Sequence, residues 1–166
     1  MEKFSADKDG VSLEFYHSID RPLFEGYFLL EDQKRFTAHP SKAIAICEME
    51  TDRFPIKILH NRQLAGFFVL HGWKGVKEYS SNRQALLLRA YSVDMLFQGK
   101  GIAQKSLQLL PEFVQINFPL VNEIILAVNE DNIRAQHVYK KCGFTDHGVR
   151  AMGRTGPMFI YHLKIE

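Results

Sequence analysis

Cysteine is scarce in this chain. Its 166 residues hold only Cys47 and Cys142, far apart and in no CxxC pair. That excludes a disulfide framework and predicts two reduced thiols in a soluble, cytoplasmic protein. Long apolar runs are missing too. The longest, Leu64–Leu70, is far too short to span a bilayer, and Met1–Asp7 lacks the apolar stretch of a signal peptide. Excess charge is absent, with 21 Lys and Arg against 19 Asp and Glu, a net +2. A dedicated nucleic-acid binder carries a strong basic excess, so neither nucleic acid nor a membrane is expected as a partner. No internal repeat, low-complexity tract or Gly/Ser-rich linker divides the chain. A single domain over residues 1–166 is expected, long enough to bury a core without staples. The seven histidines form no HxH, HExxH or Cys/His cluster, so no metal is expected.

What is present is apolar content, 46% with 13 Phe, arranged in short periodic segments. Val11–Ile19 alternates and reads as a strand. Asp20 looks like an N-cap before Pro22, and Leu23, Phe24, Tyr27, Phe28 and Leu30 predict a helix to about Glu31. A second helix is predicted over Pro40–Glu50. Pro55–Leu59 and Leu64–His71 read as a hairpin around His60–Gln63. Gly72–Arg83 is polar and reads as a loop, in which Trp73 and Tyr79 either line a site or cover a hairpin end. Ala85–Met95 is the fourth strand. Gly101–Phe118 is helical, with Pro111 expected to kink it or end its first half. Glu123–Val128 is a buried strand and Asn132–Lys141 a helix closed by Gly143. Phe144 opens a strand, 145–156 reads as a loop with two Arg and three Gly, and Met158–Ile165 is the last strand. The pattern predicts a mixed α/β sheet with helices on its faces.

The sharpest local feature is Gln98-Gly99-Lys100-Gly101-Ile102-Ala103, between a strand and a helix. Two glycines let the backbone approach a ligand, and the first amides of the helix form an anion site suited to phosphate. An ordinary glycine-containing turn is the plainer alternative. A Walker A loop is not spelled. A Rossmann fingerprint wants a small residue where Gln104 stands and an acid near the end of the next strand, whereas Glu123 lies at that strand's start. The third candidate ligand is the pyrophosphate arm of coenzyme A.

Gln98-x-x-Gly101-x-Ala103, with Val93 five residues upstream, resembles the Q/R-x-x-G-x-G/A signature of the GNAT superfamily of N-acetyltransferases. Val128 with Asn132, Ala135, Tyr139 and Gly143-Phe144 is similar to that family's second signature. The resemblance covers about Val93–Phe144 and extends to the rest in layout only. It implies a mixed, mainly antiparallel sheet flanked by helices, with the fourth and fifth strands splayed around acetyl-CoA as cosubstrate. It also implies that backbone groups around Tyr91 to Val93 pair with the pantetheine amides, and that the turn Gln98, Gly99, Lys100, Gly101, Ile102 and Ala103 holds the pyrophosphate. By the same resemblance Asn132 hydrogen-bonds near the pantetheine, although an N-cap alone explains an Asn there. Tyr139, which by its spacing with Ala135 and Val138 alone reads as a core tyrosine, becomes by the resemblance the acid for the departing thiolate or a hydrogen-bond donor to the sulfur; a phenol near 10 against a thiol near 8.5 makes the proton transfer uphill by roughly 2 kcal/mol. Members often carry a base glutamate on the fourth strand. Here Leu86, Leu87 and Leu88, then Arg89 and Tyr91, offer no carboxylate, which leaves Asp94, Glu78, Glu25, Asp32 or water.

The oxyanion is expected to meet a backbone amide near Tyr91 or Ser92, with Ser92 no nucleophile. Arg150 and Arg154 either attract an anionic acceptor or are solvated. The expected activity is direct acetyl transfer to a primary amine of a small molecule (a polyamine, an aminoglycoside-like compound, an amino acid) or of a protein. The alternatives are a non-catalytic acyl-CoA sensor and a nucleotide-binding oxidoreductase. Homodimers are common among members, and the sequence leaves that open.

Overall fold

A computed structural model describes residues 8–166; Met1–Asp7, compared above with a signal peptide, lies outside them. Seven strands form one sheet in the order β1-β2-β3-β4-β5-β7-β6. They are β1 (Val11–Phe15), β2 (Arg53–His60), β3 (Gln63–His71), β4 (Ala85–Val93), β5 (Glu123–Asn129), β6 (Thr145–Gly153) and β7 (Gly156–Lys164). Every neighbouring pair is antiparallel except β4 and β5, which run parallel. This is the mixed, mainly antiparallel sheet that the resemblance implies. It removes the oxidoreductase alternative, because a dinucleotide fold needs a doubly wound parallel sheet. Glu123 is likewise committed elsewhere, to His162 Nδ1 at 3.0 Å and Asn82 Nδ2 at 3.0 Å.

Helices cover both faces. On one, α4 (Ile102–Asn117) and α5 (Ile133–Lys141) bury Leu107, Leu110, Phe113 and Val114 against Leu13, Ile56, Phe68, Leu88 and Leu126. Each such fully buried side chain contributes about 1.5–3 kcal/mol. On the other face sit α1 (Glu31–Lys34), α2 (Pro40–Cys47) and α3 (Trp73–Val76). There the apolar contacts split into two groups. Phe24, Tyr27, Leu29, Ala43 and Ile44 pack on Phe67 and Val69. Val76 packs on Ala85, Leu87 and Ile125.

Several elements differ from the sequence expectation. β1 stops at Phe15. The helix expected from Asp20 to Glu31 is a 3-10 stretch over Ser18–Phe24 followed, after Gly26, by the single turn α1. Pro22 and Gly26 interrupt the hydrogen-bond ladder, while Phe24, Tyr27 and Leu29 still reach the core. Asp20 is not the N-cap; its Oδ2 accepts from His17 N at 2.8 Å. α2 ends three residues early, at Cys47. The 72–83 loop contains the one-turn α3. Helix α4 continues through Pro111 to Asn117 rather than ending there. Segment 145–156, expected to be a loop, is mostly the edge strand β6. Its exposed, polar residues carry no alternation to read, and its pairing is set by β7, with a register shift between Asp146 and Arg150 around Gly148, φ +88°.

Candidate active site

Pairing between β4 and β5 lasts four residues, from Ala85 opposite Glu123 to Leu88 opposite Leu126. It then stops. At that point β4 bulges against β3. Arg89 faces Val69 and Ser92 faces Phe67, so Ala90 and Tyr91 share the place opposite Phe68. Ala90 takes φ +54°, a conformation that costs a residue with a Cβ about 1–2 kcal/mol and marks the bulge. Beyond it, Tyr91–Val93 and Ala127–Asn129 are edges without a shared ladder. A cleft of about 920 Å³ lies at the gap, lined by Ala103, Val138 and Tyr139 from α4 and α5 and by Ala43 and Ile46 from α2.

The α4–α5 side of the cleft is shaped by main chain. Gly99 and Gly101 have φ +74° and +76°, so both require the left-handed region that glycine adopts freely. A Cβ at Gly99 would meet nothing within 4 Å, and one at Gly101 only the end of Lys105. Conformation, not crowding, demands the glycines. Gly101 is the N-cap of α4, and the first bond of the helix runs from Lys105 N to Gly101 O at 3.1 Å. The amides of 102–104 therefore end the helix with its positive dipole outward. Tyr91 ties β4 to this helix, its hydroxyl meeting Ser106 Oγ and Ala103 O. Gln98 donates Nε2 to Val93 O at 2.9 Å. From the other face Gln33 brackets the same residue: its Nε2 donates to Val93 O at 3.0 Å, and its Oε1 accepts from Val93 N at 3.3 Å.

Asn132 is the N-cap of α5, its Oδ1 accepting from Ala135 N at 3.3 Å. Neighbouring Asn129 is buried, holds Asp131 N at 2.8 Å and donates to Thr155 Oγ1 at 3.0 Å, fixing the β6–β7 turn over the cleft. Tyr139 packs its ring edge-on against Tyr91 and Phe144 and lines the cleft. Burial alone pushes its pKa above that of a free phenol, so it stays protonated throughout the neutral range.

The cleft thus gathers Tyr91, Val93, Gln98, Ala103, Asn132 and Tyr139. Gly99, Lys100, Gly101 and Ile102 form the turn at its end rather than its lining. Ile102 is a buried core residue, and Lys100 Nζ lies 5.4 Å from the Phe97 ring centre. Among the carboxylates considered as bases, only Asp32 lines the cleft, and it pairs with Arg134 at 3.6 Å. Asp94 is buried as a cap, taking Phe28 N at 2.8 Å and Leu96 N at 3.2 Å. Ser92 shares a buried hydrogen bond with Tyr27 at 2.7 Å.

The α1–α3 side is shaped by charge. Arg89 lines it, with Nη1 3.1 Å from His71 Nδ1. His71 Nε2 faces Asp52 Oδ1 at 3.4 Å. Arg53 lines the same end and holds Glu50. Glu50, Asp52 and His71 come within 4.8 Å of one another, but Arg53 takes Glu50 and Arg89 takes Nδ1, so the group reads as an ionic network. Of the late arginines, Arg154 lines the cleft, while Arg150 is bound to Asp146 at 2.8 and 3.0 Å and stacked on Phe159. Sequence reasoning gave Arg89, Arg53, Asn129 and Gln33 no role. Their only common signal is position in the fold.

A model of the Acetyltransferase (GNAT) family matches residues 14–144. A Bacillus subtilis (strain 168) protein named uncharacterized N-acetyltransferase YbbJ is 43% identical over 153 residues, 92% of this chain and 96% of that one. Among solved structures, AAC(6')-Ib in complex with paromomycin and acetyl-CoA superposes with a TM-score of 0.75 at 19% identity, covering 94% of each chain. The ribosomal-protein-S5-alanine acetyltransferase of Vibrio fischeri gives 0.71 at 14% identity, covering 98% of this chain and 97% of that one. Two signatures placed on the correct strands and helices, the β4–β5 gap and a 43% identical relative agree, and the chain belongs to the GNAT family of acetyltransferases.

Proposed function

We propose that this protein transfers the acetyl group of acetyl-CoA directly to a primary amine, in the cleft between β4 and β5. The observation that carries the reading is that one cleft is lined by Gln98 and Ala103, which flank the glycine turn, by Tyr139, and by Ala43 and Ile46 from the α2 side of the sheet. A long cosubstrate enters from one face and an acceptor from the other, and they meet at the gap.

In this reading the amides at the start of α4 hold the pyrophosphate, with Gly99 and Gly101 setting the turn and Lys100 adding charge. Backbone groups of Tyr91 and Val93 pair with the pantetheine, and Asn132 orients it. The amine nitrogen forms a bond to the thioester carbon. The tetrahedral oxyanion is met by a backbone amide of the bulged strand. The C–S bond breaks, the sulfur takes the Tyr139 proton, and the surplus amine proton leaves through water. Burial raises the phenol's pKa, but the same low-polarity site raises the thiolate's basicity, so the transfer stays feasible. Among the described residues no cysteine lines the cleft as an acyl carrier. Cys47, its thiol pushed up to about 11 by burial, and Cys142, shifted upward for the same reason, both lie outside the cleft lining. Their placement supports direct transfer. A sensor without turnover has no use for a protonated tyrosine in the cleft.

Thermal unfolding with acetyl-CoA, CoA, NAD and ATP tests the cofactor. At about 100 times Kd a specific ligand adds roughly 2.7 kcal/mol, a shift of about 5–10 °C in a chain of this size. The two CoA species should shift the melt and NAD and ATP should not. Thiol release with an amine panel then tests turnover. No shift with acetyl-CoA would overturn the reading.

A further inference from the structure

We infer that Arg89 is an acceptor-binding residue, and that the amine acceptor is a small molecule carrying a carboxylate, an amino acid rather than a polyamine or aminoglycoside. The inference rests on the acetyl-transfer reading and specifies its acceptor.

Five arginines line the cleft against two aspartates. Most are spoken for. Arg35 meets Asp131 at 3.0 Å, Arg134 meets Asp32 at 3.6 Å, and Arg53 holds Glu50. Among the described residues no carboxylate comes within 4.0 Å of Arg89. Yet Arg89 is half-buried, as is the paired Arg53, and it lines the cleft together with Val69, Leu87 and Tyr79. Glu50 and Glu78 act on it only from farther away, and burial pulls its pKa below the usual guanidinium value. A guanidinium in such a place is normally compensated by an anion.

Its one polar partner is an imidazole. Arginine can only donate, so His71 Nδ1 accepts and the ring is neutral, with its proton on Nε2 toward Asp52. Burial and Arg53 favour the same neutral form. His71 thereby fixes the guanidinium through one nitrogen without neutralising it. The remaining donors form a fork that matches a carboxylate in two parallel hydrogen bonds.

Position completes the argument. Arg89 precedes the bulge and stands two residues from Tyr91, about 7 Å along the strand. A short amino acid anchored at Arg89 reaches the gap with its amine. The exposed, cleft-lining Arg154 at the rim adds to the positive field. A polyammonium acceptor would instead face Arg89 and Arg53. The same field lowers the pKa of a bound ammonium, which favours the neutral nucleophile in a cleft with no free carboxylate base.

The test uses matched acceptors that differ by a carboxylate, namely phenylalanine with phenethylamine and lysine with cadaverine, plus spermidine. Thiol release from acetyl-CoA is followed in the wild type, Arg89→Gln and Arg89→Lys. The carboxylated member of each pair should be used at least tenfold better in kcat/KM. Arg89→Gln should raise its KM about 10- to 100-fold and close the gap within the pair, with Arg89→Lys in between. The melting shift with acetyl-CoA should persist in both variants, which reports that they fold. Equal or better use of the decarboxylated amines or spermidine overturns the inference. So does a variant that slows both members equally, or a wild type that binds acetyl-CoA and uses neither pair. A wild type with no acetyl-CoA shift instead overturns the acetyl-transfer reading itself.

Discussion

The two sides of the cleft that meet at the β4–β5 gap are made of different materials. On the α4–α5 side the working groups are peptide groups: the end of α4 beyond Gly101, the edge of Tyr91–Val93, and the cap at Asn132. On the α1–α3 side they are charged and polar side chains from four places, Arg53 on β2, the neutral His71 on β3, Arg89 on β4, and Glu50 with Asp52 between α2 and β2. A main-chain site needs particular backbone angles, which few residue types allow, so it leaves a spaced signature. A side-chain site needs only the right groups at the right place after folding. In the proposed reading one side therefore serves a cosubstrate common to a family, and the other can be rewritten for each acceptor.

The largest effect should come from Tyr139, the side chain on the main-chain side to which the proposed function gives a chemical role. Tyr139→Phe keeps the ring contacts with Tyr91 and Phe144 and removes only the hydroxyl. We expect kcat to fall about 10²- to 10³-fold, the range of a positioned acid, with the acetyl-CoA melting shift preserved. The loss should ease with a thioester whose thiol is more acidic, since a better leaving group needs less help. An unchanged kcat would leave the site made of backbone alone.

A smaller loss is expected at the glycine turn. Gly101→Ala places a Cβ in ordinary contact with the end of Lys105 alone but at φ +76°, which costs roughly 1–2 kcal/mol. Relief of that strain tilts the amides at the head of α4. Chemical denaturation should show the stability loss, and calorimetric titration should show acetyl-CoA binding weakened about tenfold, one RT-scaled step of similar size. A stability loss without weaker binding would make the turn a mere connection and erase the contrast between the sides.

That contrast explains what the sequence disclosed. The central strands, α4, α5 and the residues around Gly101 and Tyr139 were legible, because burial and backbone geometry impose local patterns. The type of the 18–34 region was not, because Leu23, Phe24, Tyr27 and Phe28 repeat at helical spacing while Pro22 and Gly26 break the ladder. β6 was not, because an exposed edge strand has no buried face to mark. The histidine–arginine network was least legible of all. His71 and Arg89 are 18 residues apart, and only the β3–β4 pairing brings them together. The missing β4 carboxylate was visible as an absence; what replaces it needed the fold.

Gln33 reaches across the divide to β4, and it gives the smallest predicted effect. It stands on α1, yet its carboxamide pairs with both the N–H and the C=O of Val93, as a neighbouring strand would. A pantetheine amide that pairs with this edge must displace it. Each such bond contributes about 0.5–1.5 kcal/mol net, so Gln33→Ala should lower the stability of the free protein by about 1 kcal/mol. It should also tighten acetyl-CoA by about three- to tenfold, because the competitor is gone. Opposite signs for stability and affinity are the signature to seek, and denaturant midpoints with calorimetric Kd values on the same variant supply both. Unchanged affinity would place the pantetheine elsewhere along β4. Tighter binding would mean that the cosubstrate releases Gln33 as it enters, so that filling one side of the cleft loosens α1 on the other, where the acceptor arrives.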